Sequence, residues 1–130
     1  MLIRGADDIG YNQTCLSPFI SADYDWHGCK AGINVLGVQS NGNIKGCLSL
    51  SDDFVEGNIR ERSIVEIWND KKSFAYSRNF KISDLGENCQ GCVFGEKCKG
   101  GCSDVSFGRT GKIANSPFCL HRLEQKGLLK

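Results

Sequence analysis

Cys89–Cys102 reads CQGCVFGEKCKGGC: four cysteines in fourteen residues, separated by two, five and three residues, with glycines packed into the gaps. A Cys-x2-Cys pair brings two sulfurs to one metal centre with little loop entropy lost. Glycines between them let backbone N–H groups turn toward the sulfurs. That much suits zinc and iron–sulfur chemistry equally, so the choice depends on the full set of eight cysteines. In a reducing compartment so many thiols are metal ligands or redox centres, and in an oxidising one they would form a disulfide scaffold.

The opening MLIRGADDIGYNQ carries two aspartates and no long apolar run, unlike a secretory leader. No stretch of the chain approaches the roughly 18 apolar residues that cross a bilayer. The expected compartment is therefore the cytoplasm, with no membrane partner. Sixteen basic and fifteen acidic residues leave a formal charge of +1, so bulk electrostatics gives no reason to expect nucleic acid as a partner. A length of 130 residues suits one domain with a modest core and falls far short of a complete α/β barrel.

Upstream of the cysteine-rich stretch, INVLGVQSNGNIKGC (Ile33–Cys47) reads as two short strands joined at Asn41-Gly42. That dipeptide predicts a type I′ turn, in which both central residues take positive φ. If so, Cys47 lies some distance along the hairpin from Cys29, and the segment after Cys29 must curl back, which Gly28 and Gly32 would permit. Next, Ser63 and Glu66 form a capping-box pattern, and Ile64, Ile67, Trp68, Phe74 and Ala75 fall mostly on one helical face. An amphipathic helix from about Ile64 to Tyr76 follows. Downstream, SPFCLHRLEQKG predicts a last short helix capped by Ser116, with Pro117 at its first position, Cys119 in its first turn and Gly127 ending it.

The fold expected is a small α+β domain: a β-hairpin, a central amphipathic helix, a Gly/Cys-rich loop and a short C-terminal helix. Its core would include Val35, Leu36, Val38, Ile44, Ile64, Ile67, Trp68, Phe74 and Phe118. So small a core leaves much of the stability to bound metal.

Written in full, the spacing is Cys29-x12-Gly42-x4-Cys47, a gap, Cys89-x2-Cys92-x5-Cys98-x3-Cys102, a gap, then Cys119. NGNIKGC, EGNIRERSIVEIW and CKGGC follow one another along it. This pattern, over about Trp26 to Cys119, resembles the SPASM domain, the auxiliary iron–sulfur domain found at the C-terminus of radical S-adenosylmethionine enzymes that modify peptides and proteins. The resemblance implies an N-terminal extension over residues 1–25 and a SPASM-like domain over residues 26–130. It implies two [4Fe–4S] clusters, one on Cys89, Cys92, Cys98 and Cys119 and the other on Cys29, Cys47 and Cys102. The second set has three ligands; the fuller family pattern has another cysteine shortly before the position of Cys29, and here only Cys15 stands upstream. Cys15 could supply the fourth ligand, or the fourth iron could stay open.

The resemblance also implies a radical S-adenosylmethionine catalytic domain or subunit and a substrate peptide as partners, with electron relay and peptide binding as the role. The alternative is a structural zinc-binding docking module with no redox function. The Cys-x3-Cys-x2-Cys motif of a catalytic radical cluster is missing: Cys98-x3-Cys102 begins it, but Val105 stands at the third position. No complete catalytic site is legible. His27 and His121 flank ligand cysteines and are expected to be bystanders, with His121 on a helix face away from Cys119. Lys97, Lys99 and Arg109 near the loop could moderate cluster charge.

Overall fold

The computed structural model describes residues 26–128, so the residue 1–25 extension, with Cys15, lies outside the described residues. Two compact units are present, Lys30–Lys81 and a unit joining the chain up to Cys29 with the chain from Ile82 onward. Short strands and short helices together make the small α+β class expected.

In the Lys30–Lys81 unit the chain curls at once. The backbone N–H groups of Ile33 and Asn34 donate to the Lys30 carbonyl at 3.0 and 3.2 Å, and Gly32 N–H donates to Val35 O at 2.8 Å. Gly32 has φ +73°, and a Cβ there would stand 2.3 Å from Cβ of Phe74. Both the backbone conformation and the close approach therefore require glycine.

A three-stranded antiparallel sheet follows: β1 (Gly37–Val38), β2 (Asn43–Lys45) and β3 (Gly57–Asn58), in that order. Val38 faces Ile44 across the first pair, and Ile44 faces Gly57 across the second. The β1–β2 connection differs from the type I′ turn expected. Gly42 alone has positive φ, +91°, and Asn41 does not. Gly42 N–H donates to Gln39 O at 2.9 Å and Gln39 N–H to Asn43 O at 2.8 Å, so the loop has three residues and closes on a left-handed glycine. Asn58 explains why a two-residue third strand holds. Its Nδ2 donates to Asn41 O at 3.1 Å and Asn43 Oδ1 at 2.9 Å, latching β3 to the hairpin tip.

The capping box forms as expected. Glu66 N–H donates to Ser63 Oγ at 3.2 Å, and Ser63 N–H donates to Glu66 Oε2 at 2.8 Å. The helix it starts, α1 (Ile64–Asn69), is shorter than the Ile64–Tyr76 expected; the chain leaves helical geometry at Asp70 and resumes in α2 (Ala75–Arg78). Asp70 causes the break: its Oδ1 accepts from Lys72 N–H at 3.0 Å, offering the backbone an alternative to the helical ladder. Phe74 then takes φ +58°, which turns its ring inward.

Ile44, Ile67 and Phe74 are fully buried, with Leu36, Trp68 and Tyr76 packed against them. Each fully buried side chain of this kind contributes about 1.5–3 kcal/mol. Arg78 ties the unit together, donating from Nε to Gly32 O at 2.7 Å and from Nη1 to Trp68 O at 2.6 Å, with its guanidinium over the Trp68 ring at 4.5 Å. Four residues expected in the core are exposed instead: Val35, Val38, Ile64 and Phe118. A two-residue strand presents only one side chain per face, which leaves Val38 partly exposed, and Val35 stands outside the sheet.

The other unit contains α3 (Gly95–Cys98), α4 (Ser103–Thr110) and α5 (Leu120–Gln125). Neither α3 nor α4 is expected from the sequence, where this stretch reads as loop. A 3-10 turn at Ile82–Asp84 delivers Leu85 into the interior, where Leu85 and Ala114 are buried. The last helix begins later than expected: Cys119, at φ −63° and ψ 118°, is its N-cap, and Ser116 is a buried residue whose N–H donates to Gly100 O at 3.2 Å. Gly127 ends it at φ +67°, with Leu128 N–H reaching Leu123 O at 3.0 Å. Among the described residues no helix is long and apolar enough to cross a membrane.

Candidate metal centre

The cysteine-rich stretch is a chain of tight turns. Cys89 N–H donates to Gly86 O at 2.8 Å, Cys92 N–H to Cys89 O at 3.2 Å, Gly95 N–H to Cys92 O at 2.9 Å and Cys98 N–H to Phe94 O at 2.7 Å. Three of these four turns end on a cysteine, Cys89, Cys92 and Cys98. The fourth thiol is brought in by the segment before α5. Gly86 N–H donates to Ala114 O at 2.9 Å, and buried Asn115 accepts the Asn88 N–H on Oδ1 at 2.8 Å. Cys89 Sγ lies 4.0 Å from the Ser116 carbonyl oxygen.

Cys89, Cys92, Cys98 and Cys119 consequently line one cavity of about 710 Å3, together with Gly100, Gly101, His121 and Arg122. All seven described cysteines are free thiols, each half-buried. Among the described residues, no three of the His, Cys, Asp and Glu side chains gather closely enough to hold a single metal ion.

The electrostatics of the cavity opposes bare thiolates. Burial pushes the Cys98 thiol up to about 12, against the Gly101 and Gly100 backbone groups, which lower it; neighbouring Cys119 and Cys89 raise it further. Burial likewise raises Cys89, opposed by the Ser116 backbone and Arg122 and reinforced by Cys119 and Cys92. Burial and neighbouring thiols both raise Cys89 and Cys98, so the site favours a cationic centre, because a cation reverses both contributions. Backbone groups of Gly100 and Gly101 facing Cys98 supply the N–H donors an anionic thiolate–sulfide group takes. Gly100 can approach so closely only without a side chain: a Cβ there would lie 2.3 Å from the Ala114 carbonyl carbon. The donor set therefore fits an iron–sulfur group.

The other cysteines stand elsewhere. Cys102 is the N-cap of α4 in the same unit, Cys29 ends the N-terminal part of that unit, and Cys47 follows β2 in the Lys30–Lys81 unit. His121, expected on a face away from Cys119, instead lines the thiol cavity. Cys119 is the N-cap with extended backbone and not a residue of the helix, so the helical step from Cys119 to His121 on which that expectation rests does not apply. Phe94, whose ring meets His121 edge-on with centroids 5.0 Å apart, and Asn115 were also not singled out by sequence reasoning. The single-sequence signal for Asn115 is weak, since Asn in a loop ordinarily reads as a turn residue.

A comparison with family models gives a match to the SPASM iron–sulfur cluster-binding domain over residues 29–93, half of the chain, which includes Cys29, Cys47, Cys89 and Cys92. A comparison with curated proteins finds no match. The matched segment spans half of the chain and holds two of the four thiols that line the cavity, and the chain belongs to the SPASM family of iron–sulfur cluster-binding domains.

Proposed function

We propose that this chain is the auxiliary module of a radical S-adenosylmethionine system that modifies peptides or proteins, holding two [4Fe–4S] clusters for electron relay and peptide binding in the cytoplasm. One cluster would be held by Cys89, Cys92, Cys98 and Cys119, and the observation that carries this is their shared cavity. The set Cys29, Cys47 and Cys102, with Cys15 as a candidate fourth ligand, rests on the family spacing of the sequence. A [4Fe–4S] group supplies one-electron redox capacity when bound.

The chain's own residues set the terms. Gly100 and Gly101 direct backbone N–H groups at Cys98 and so favour its thiolate form. Arg122 favours the thiolate of Cys89. The turn ladder from Gly86 to Cys98 fixes the spacing of three ligands, and Asn115 anchors the segment that carries the fourth.

The test is the iron and acid-labile sulfide content per chain after anaerobic reconstitution, with the electron paramagnetic resonance spectrum of the reduced protein. About eight irons with matching sulfide is the outcome expected for two [4Fe–4S] groups. Cys92→Ala should remove about half of the iron. About two zinc ions and no sulfide would overturn the proposal and leave a structural docking module.

A further inference from the structure

His121 lines the thiol cavity and carries a ring nitrogen that the protein does not use. Its Nδ1 is buried and has no hydrogen-bond partner among the described residues. The ring is held in place by Phe94, edge-on at 5.0 Å and 76°, and Phe94 lines the same cavity. A buried polar nitrogen without a partner is costly and uncommon in a folded protein. Four residues that line the cavity with it, Cys89, Cys92, Cys98 and Cys119, carry sulfur, the acceptor that an iron–sulfur group would present there.

We infer that His121 is a positioning residue that donates an Nδ1–H hydrogen bond to a sulfur of the group held by Cys89, Cys92, Cys98 and Cys119, stabilising its reduced state. The inference rests on the iron–sulfur reading of that cavity. Four thiolates already complete a cuboidal group, so an imidazole nitrogen there serves as donor and not as ligand. Reduction adds negative charge that is shared by the sulfurs, and a fixed donor aimed at sulfur favours the more negative state. The edge contact with Phe94 restricts the ring, so the donor costs little to orient.

His121→Phe keeps an aromatic ring against Phe94 and deletes the donor, whereas His121→Asn returns an N–H at the equivalent point of the side chain. Both are compared with the wild type for iron and sulfide content and for reduction potential. His121→Phe should keep its iron while its reduction equilibrium shifts about tenfold toward the oxidised form, about 59 mV for a one-electron couple. His121→Asn should restore most of that shift. An iron-loaded His121→Phe with wild-type potential overturns the inference.

A second measurement reads the contact itself and not its effect on the potential. The chain has two histidines, so wild-type protein carrying 15N-histidine, read by pulsed electron paramagnetic resonance against labelled His121→Asn, isolates His121. A weak coupling lost in the variant is expected. No coupling, or a strong one that marks direct ligation, overturns the donor role. Failure of the wild type itself to take up iron and sulfide would overturn the underlying cluster reading, which the metal content reports separately.

Discussion

Replacing Gly100 and Gly111 in turn by alanine separates two costs that are usually confounded. The two glycines share one unit and nearly one conformation, φ +76° and φ +71°. An alanine in the left-handed region costs about 1–2 kcal/mol at either site. At Gly111 the new Cβ meets nothing within 4 Å, so that is the whole cost. At Gly100 it would lie 2.3–2.4 Å from backbone atoms of Ala114, and no flexible side chain is there to yield. Forcing such a contact adds about 1–3 kcal/mol, giving a total of about 2–5 kcal/mol. The Gly100 N–H faces Cys98, so the shift should also loosen a ligand. With a urea slope of about 1–3 kcal/mol/M, the two unfolding midpoints should differ by about 1 M. Iron content measured on the same anaerobic samples should fall for Gly100→Ala and hold for Gly111→Ala. Equal midpoints and equal iron for the two variants would refute the claim that the close backbone approach at Gly100 builds the cavity.

Other expectations concern single groups. Ser63→Ala should cost about 1 kcal/mol, seen as faster amide exchange across Ile64–Asn69. Hydrogen bonds from Ser63 hold the Glu66 carboxyl below its ordinary 4.5, so the cap's contribution is intact above that pH and fades as pH falls through the lowered value, a dependence that Glu66→Gln should abolish. Burial holds Cys98 as a thiol until about pH 12, so the metal-free fold keeps more protons than the unfolded chain and should lose stability as pH rises from 9.0 toward 12. Iron loading should correspondingly release protons, measurable in weakly buffered solution with a pH indicator. Buried Lys45 donates from Nζ to Leu50 O and, at 3.0 Å, to Asp52 Oδ1; Lys45→Ala should lower the urea-derived stability by about 2–3 kcal/mol through the unpaired carbonyl and the space left.

Local chemistry was legible wherever a side chain acts on its own neighbourhood. Ser63 and Glu66 announce the start of α1 because the box needs only residues three apart, and Gly127 marks the end of α5 for a similar reason. The end of α1 was not legible. A run such as NDKKSFAY keeps an apolar rhythm across Asp70, and only the structure shows that burying Phe74 outweighs its left-handed backbone. β3 escaped notice because two residues cannot display an alternation, and its stability comes from Asn58 bonding to the distant Asn41 and Asn43. In the candidate centre, the family resemblance grouped Cys89, Cys92, Cys98 and Cys119 as one ligand set, and these four side chains line one cavity. The place of His121 was not legible because Cys119 stands at the N-cap, where the helical step no longer relates the two side chains. Asn115 could not be found, since its partner Asn88 N–H lies across the loop, twenty-seven residues away.

The order in which the cavity's ligands occur along the chain also bears on biosynthesis. Cys119 follows Cys89 by thirty residues, with α3 and α4 between them. At roughly 5–20 residues per second, translation leaves Cys89, the first thiol of the set, waiting about 1.5–6 s for the fourth to be made. During that interval the nascent chain presents an incomplete, oxidisable thiol group. Delivery of iron and sulfide is thus favoured after Cys119 has emerged, and oxygen exposure before that moment should yield disulfide-linked chains that must be reduced before they take up iron.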